Sequence, residues 1–196
     1  RATGCAACHM PYGEDGKSLS ADAAMPKEKA GRPLRHVLTK QIPITQCATC
    51  HNGGSRAAMS FRGLMEAPPE GRQTFTYDQD LLHGHAYTPQ TADVHFTRGM
   101  ACIDCHTERE MHGDGQIYAK RHYEGELRCE TCHGTPDTLA TGITAQGRKL
   151  RNVFVGLAPA NSKAGPGAAT SLAPSGLVTL VSKLTGKVHL IPQRAT

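Results

Sequence analysis

All eight cysteines of this chain fall in four copies of one pattern, Cys-x-x-Cys-His: Cys5, Cys8 and His9; Cys47, Cys50 and His51; Cys102, Cys105 and His106; Cys129, Cys132 and His133. Two thiols three residues apart share one face of a helical turn, roughly 5–6 Å between Cβ atoms. Such a face can grip one edge of a flat macrocycle while the adjacent histidine turns back over the ring. The pattern is the attachment signature of a c-type haem, with two thioethers to the porphyrin and the histidine on the iron. The expected cofactor content is four haem c, and the chemistry is one-electron exchange at iron.

Structural zinc also uses Cys-x-x-Cys pairs, but it requires no histidine directly after each pair. With 11 His in 196 residues, a histidine follows a given cysteine by chance about 6% of the time, and four in four on the order of once in 10⁵. That count favours haem. No cysteine is left over for a disulfide.

The polypeptide that must position these sites is poor in core-forming residues. It is 38% apolar and 5% aromatic, with no Trp, 21 Gly and 12 Pro. Four tethered porphyrins would supply the missing apolar volume, so the expected fold is mostly irregular, with short α-helices around stacked c-type haems and a small β-hairpin near the C-terminus. The formal charge of +5 changes on loading. Eight propionates and four ferric centres bring it to about +1, and reduction to about −3. Lys and Arg therefore read as partners of propionates and solvent, and nucleic acid is not an expected partner. No apolar run approaches the roughly 20 residues of a membrane span.

Residues 1–133 read as the tetrahaem-binding region, and 134–196 as a haem-free, Gly-, Ala- and Pro-rich tail. After the first run, residues 13–33 read as a surface loop with a short helix broken at Pro26. Leu34 to Gln41 reads as a helical turn or two ending before Pro43, carrying His36 eleven residues ahead of Cys47. Asn52-Gly53-Gly54 signals a turn. Residues 55–94 read as irregular backbone wrapping a ring. Met111 to Gly115 reads as a tight turn presenting His112. In the tail, Leu177–Ser182 and Lys187–Ile191 read as a hairpin turning at Thr185-Gly186. Too small to fold alone, the tail is expected to pack on the haem unit or on another chain.

Seven histidines remain for at most four distal positions. His95 stands seven residues before Cys102 and His122 seven before Cys129, each followed by an aromatic, Phe96 and Tyr123. This local duplication makes both distal-ligand candidates. His36 and His112 are further candidates. His83 and His85 compete for one role, with Gly84 allowing a close backbone approach. His189 reads as structural. Methionine is an alternative sixth ligand, but Met10, Met59, Met65, Met100 and Met111 read as packing residues. Bis-histidine iron has no vacancy for substrate, which leaves outer-sphere electron transfer along the row of porphyrins.

The four runs, with His-Phe or His-Tyr seven residues ahead of the last two, resemble the multihaem c-type cytochromes of respiratory electron transfer. Val94 to Gly115 and the closing SKLTGKVHLIPQ resemble segments of surface-exposed cytochromes of extracellular electron transfer. A tetrahaem chain with surplus histidines is also similar to subunits of polymeric cytochrome filaments. The resemblance implies attachment outside the cytoplasm, hence an exported periplasmic or extracellular protein. It also implies redox partner proteins and, plausibly, other haem-bearing chains or copies of itself. The chain opens at Arg1 without a signal peptide and reads as a processed or excised piece. The competing reading is a multihaem oxidoreductase of nitrite, hydroxylamine or tetrathionate type with one open iron. Those enzymes often alter an attachment motif, and none of the four is altered here.

Overall fold

In the computed structural model, residues 4–10, 38–53, 57–67, 81–82, 85–120, 123–156 and 177–194 are described. His36, His83 and His122, the loop at 13–33 and residues 157–176 of the tail lie outside them. Among the described residues no helix is long and apolar enough to cross a membrane. Contacts divide the chain into two compact units, residues 1–102 and 103–196. The division falls inside the third Cys-x-x-Cys-His run. Segments after His133 bond back onto the third and fourth runs, which gathers everything after Cys102 into one unit.

The first unit holds α1 (Ala6–His9), α2 (Ile44–Ala48), α3 (Ala57–Phe61), β1 (Leu64–Glu66), β2 (Leu81–Leu82), β3 (His85–Pro89) and α4 (Val94–Thr97). Its strands form an antiparallel sheet in the order β1-β3-β2. A helix and a sheet thus occupy a stretch expected to be irregular. Strands of two to five residues are too short to show alternation in sequence. Gly63 is required where α3 turns into β1: its φ is +81°, and a Cβ there would meet the Gln90 carbonyl at 2.8 Å. The core gathers Ala48, Met59 and Tyr87 with Leu64 beside them, and Phe96 packs edge-on against Phe61 at 5.5 Å. Met10 and Met59 are fully buried, as packing residues should be, whereas Met65 in β1 and Met111 are exposed and do not pack as expected.

The expected helix ahead of Pro43 is not found over its described part. Residues 38–41 are non-helical and α2 begins after Pro43 as its N-cap. Thr39 exchanges two bonds with His9, its N–H donating to the His9 carbonyl at 2.8 Å and its own carbonyl accepting from the ring. That pairing holds the segment extended.

The second unit holds α5 (Cys102–Cys105, beginning on the last residue of the first unit), α6 (Glu108–His112), α7 (Cys129–His133), β4 (Val153–Val155), β5 (Val178–Val181) and β6 (Val188–Ile191). β5 and β6 pair antiparallel, Leu180 opposite His189, through a turn in which Gly186 has φ +72°. A strand not anticipated from sequence, β4, joins on the other side of β5, giving the order β4-β5-β6. Thr107 and Glu110 close a capping box at the start of α6. His112 is the last residue of that helix and exposed, and the turn begins after it at Gly113, φ +80°.

Candidate haem-attachment sites

Each Cys-x-x-Cys-His run sits on about one turn of helix: α1, capped by Cys5; α2, with Cys50 just beyond its end; α5, followed directly by His106; and α7. None of the eight cysteines is in a disulfide, and Cys5, Cys8, Cys50, Cys105 and Cys129 are exposed. Cysteine is ordinarily among the most buried residue types. Five exposed cysteines beside their histidines depart from that tendency. Among the described residues, no three His, Cys, Asp or Glu side chains gather as they would around a bare metal ion.

Three of the four motif histidines are oriented from behind; His51 is exposed, with no ring hydrogen bond to hold it among the described residues. His9 Nδ1–H donates to the Thr39 carbonyl at 2.8 Å. His106 Nδ1–H donates to the Glu110 carboxylate, Oε1, at 3.1 Å. His133 Nδ1–H donates to the Pro192 carbonyl at 2.8 Å. Each partner is acceptor-only, so the ring proton belongs on Nδ1 and the lone pair on Nε2. This is the tautomer an iron ligand needs, and such outer partners fix ring orientation and raise ligand basicity.

The fourth site is clamped most fully. Gln193 donates its side-chain N–H to the Cys132 carbonyl at 3.0 Å and accepts from the Ala140 N–H at 2.9 Å. Arg194 N–H donates to the His133 carbonyl at 2.9 Å. The other end of the β5–β6 hairpin reaches the third site, where Lys183 N–H donates to Asp104, the buried residue between Cys102 and Cys105. Gly134 follows His133 with φ +66°, and a Cβ there would lie 2.3 Å from the Thr138 carbonyl. Only glycine lets the chain turn away so sharply.

In the first unit, the Cys47 thiol hydrogen-bonds with Cys102. That bond, burial, and the nearness of Cys102 and Cys8 push Cys47 far above the ordinary thiol range. Gln46 donates to the Ala7 carbonyl and ties the second run to the first. Burial, with Cys129 beside it, also raises Cys132.

Among the distal candidates, His95 bonds twice to Asp93, through its backbone N–H and its Nδ1, both at 2.8 Å. Asp93 is held below the usual carboxylate range, chiefly by that backbone N–H. His85 donates Nδ1–H to Glu66 at 3.0 Å. Its ring lies over Gly53, where a Cβ would meet it at 3.8 Å. That is an ordinary contact, and Gly84 lies outside the described residues. Both rings carry the same Nδ1 tautomer as the motif histidines. His189 faces Leu180 across the hairpin; its Nε2 is buried without a hydrogen-bond partner among the described residues, and burial lowers its pKa.

The readings at the four runs leave out Glu110. Burial alone would raise its pKa, but the hydrogen bond and charge of His106, the Thr107 N–H and nearby Lys183 outweigh that and hold it below the usual range. Its signal was present in the sequence as Thr107-x-x-Glu110, a capping box placed directly after His106. No protein-family model, characterised protein or solved structure matches this chain.

Proposed function

We propose that this chain is an electron-transfer protein carrying four c-type haems, one at each Cys-x-x-Cys-His run. The observation that carries the reading is the orientation of His9, His106 and His133. Each Nδ1–H is bound by an oxygen outside its own run, the first and third by carbonyls 30 and 59 residues away in sequence, the tautomer whose Nε2 lone pair an iron ligand would use. The exposed thiol faces beside them match a covalently attached ring, and the small interior supports the same reading. The buried apolar side chains among the described residues include four alanines in the first unit alone, with Met10 and Met59 the largest fully buried there. Bound haem would supply one-electron chemistry at iron and the apolar mass the polypeptide lacks.

In this reading the cysteines tether and the motif histidines ligate. Thr39, Glu110 and Pro192 hold the histidine rings, and His95, His85 and the exposed His112 at the end of α6 are the described distal-ligand candidates. The protein would work outside the cytoplasm, in the periplasm or at the cell surface, exchanging electrons with redox proteins or with copies of itself. Intact-mass measurement of protein made in a haem-attaching host tests it: four added macrocycles and a low-spin ferric spectrum are expected. Free thiols or bound zinc would overturn the reading. A high-spin ferric fraction that binds carbon monoxide on reduction would favour the oxidoreductase alternative.

A further inference from the structure

The three oriented motif histidines do not share one kind of partner. His9 and His133 face backbone carbonyls, whereas His106 faces a carboxylate. Glu110 is well placed to act on that ring. Its side chain is 16% exposed. One oxygen takes the His106 Nδ1–H and the other takes the Thr107 N–H at 3.4 Å, while the Thr107 hydroxyl accepts the Glu110 N–H at 3.2 Å. The carboxylate is thus pinned at both oxygens and at its own backbone. A neutral carbonyl merely orients an imidazole. An anionic acceptor also draws the Nδ1 proton outward, increases electron density at Nε2, and places a negative charge behind the ring. Both effects favour ferric over ferrous iron, through hydrogen bonding to the axial ligand.

Resting on the electron-transfer reading above, we propose that Glu110 is a positioning residue that sets the potential of the third haem, holding it lower than a carbonyl partner would. Unequal potentials would give the four sites an order of filling, with the third site reluctant to hold an electron.

The test is a spectropotentiometric titration of the four-haem protein and of Glu110→Gln. The amide keeps an acceptor oxygen and the cap but removes the charge. The expected result is four haems and an upward shift of one potential, about tenfold in that site's reduction equilibrium, or about 59 mV for one electron. Glu108→Gln, at an exposed position of the same helix, removes equal charge without touching His106 and should leave that potential in place. Unchanged potentials in Glu110→Gln, or equal shifts in both variants, would overturn the proposal while leaving the electron-transfer reading intact. Wild-type protein without four haems would instead end that reading. Should Glu110→Gln fail to load its third haem, a haem-resolved NMR titration of wild type decides. The haem on Cys102 and Cys105 should reduce after those on Cys5/Cys8 and Cys129/Cys132, and the reverse order rejects the role of Glu110.

Discussion

The two units solve the same problem, holding short attachment helices with little core, by different means. Among the described residues, the buried side chains of the first are Met10, Ala48, Met59, Ala67, Ala86, Tyr87 and Ala101, all apolar or aromatic. In the second, the buried polar residues Asp104, Thr107, Glu126, Thr131, Thr144, Asn152, Thr179 and Ser182 outnumber the apolar Ala140, Leu150, Val153, Val178, Leu180 and Ile191. Apolar packing tolerates small shifts, whereas buried hydrogen bonds demand fixed geometry because each unmade one costs about 1–3 kcal/mol. The second unit should therefore hold its sites in stricter positions and be the more damaged by loss of a single polar partner.

The largest expected effect is at Arg148. Its guanidinium makes two bonds to Glu126, one at 2.8 Å from Nε, and Glu126 also accepts from Thr107, next to His106. Arg148→Ala would leave a carboxylate that is 2% exposed with the Thr107 hydroxyl as its side-chain partner. The cost should be about 3 kcal/mol, at the low end of the range for a broken buried pair because Arg148 itself is partly exposed. Denaturant unfolding measures it, with hydrogen exchange showing loss of protection at Ala145, whose N–H bonds the Glu126 carbonyl.

Met59→Ala is the counterpart in the first unit. It removes the largest side chain of the Ala48, Met59 and Leu64 packing against Tyr87 and should cost about 2–3 kcal/mol, as a cavity does. Neighbouring side chains can lean into the gap, and the β1–β3 ladder should keep its hydrogen-exchange protection better than the Glu126 surroundings do in Arg148→Ala. If Met59→Ala proved the more damaging variant, the contrast between an apolar unit and a polar one would fail.

The contrast also explains what was legible in the sequence. The helical turns at the runs follow from cysteine spacing, and β5 and β6 lie within Leu177–Ser182 and Lys187–Ile191, where β-branched residues cluster. β4 was missed because Val153–Val155 is three residues long and gains its place only by pairing with β5. The partners of the motif histidines were hidden for a similar reason. Thr39 and Pro192 act through backbone carbonyls, which every residue possesses, so no side-chain pattern marks them. Glu110 acts through its side chain, and there the Thr-x-x-Glu spacing does leave a mark. His95 was singled out by its repeat with His122, yet Asp93, which fixes its ring, shows in sequence only as an ordinary N-cap.

The smallest effect tests the same distinction at two carboxylates, the exposed Asp93 and the half-buried Asp114. Asp114 accepts from Tyr118 hydroxyl, from Gln116 N–H at 2.9 Å and from Arg109 at 3.0 Å, and the Tyr118 side chain is the largest cause of its lowered pKa. Asp93 is lowered chiefly by a backbone donor, the His95 N–H. In both cases the folded pKa lies below the unfolded one, near 3.9. The stabilisation is therefore complete above about pH 4 and is lost as pH falls through each folded value, because the unfolded chain takes up protons first. Tyr118 is shifted the other way, raised mainly by its bond to Asp114. Its share is present below about pH 10 and lost as pH rises through the folded value. Tyr118→Phe should return Asp114 toward the ordinary range, whereas His95→Ala should leave Asp93 depressed, since alanine retains the N–H. Carboxyl-carbon NMR titration of the reduced protein measures both. Equal relaxation of the two carboxylates would mean that backbone and side-chain donors are not distinguished at these two turns.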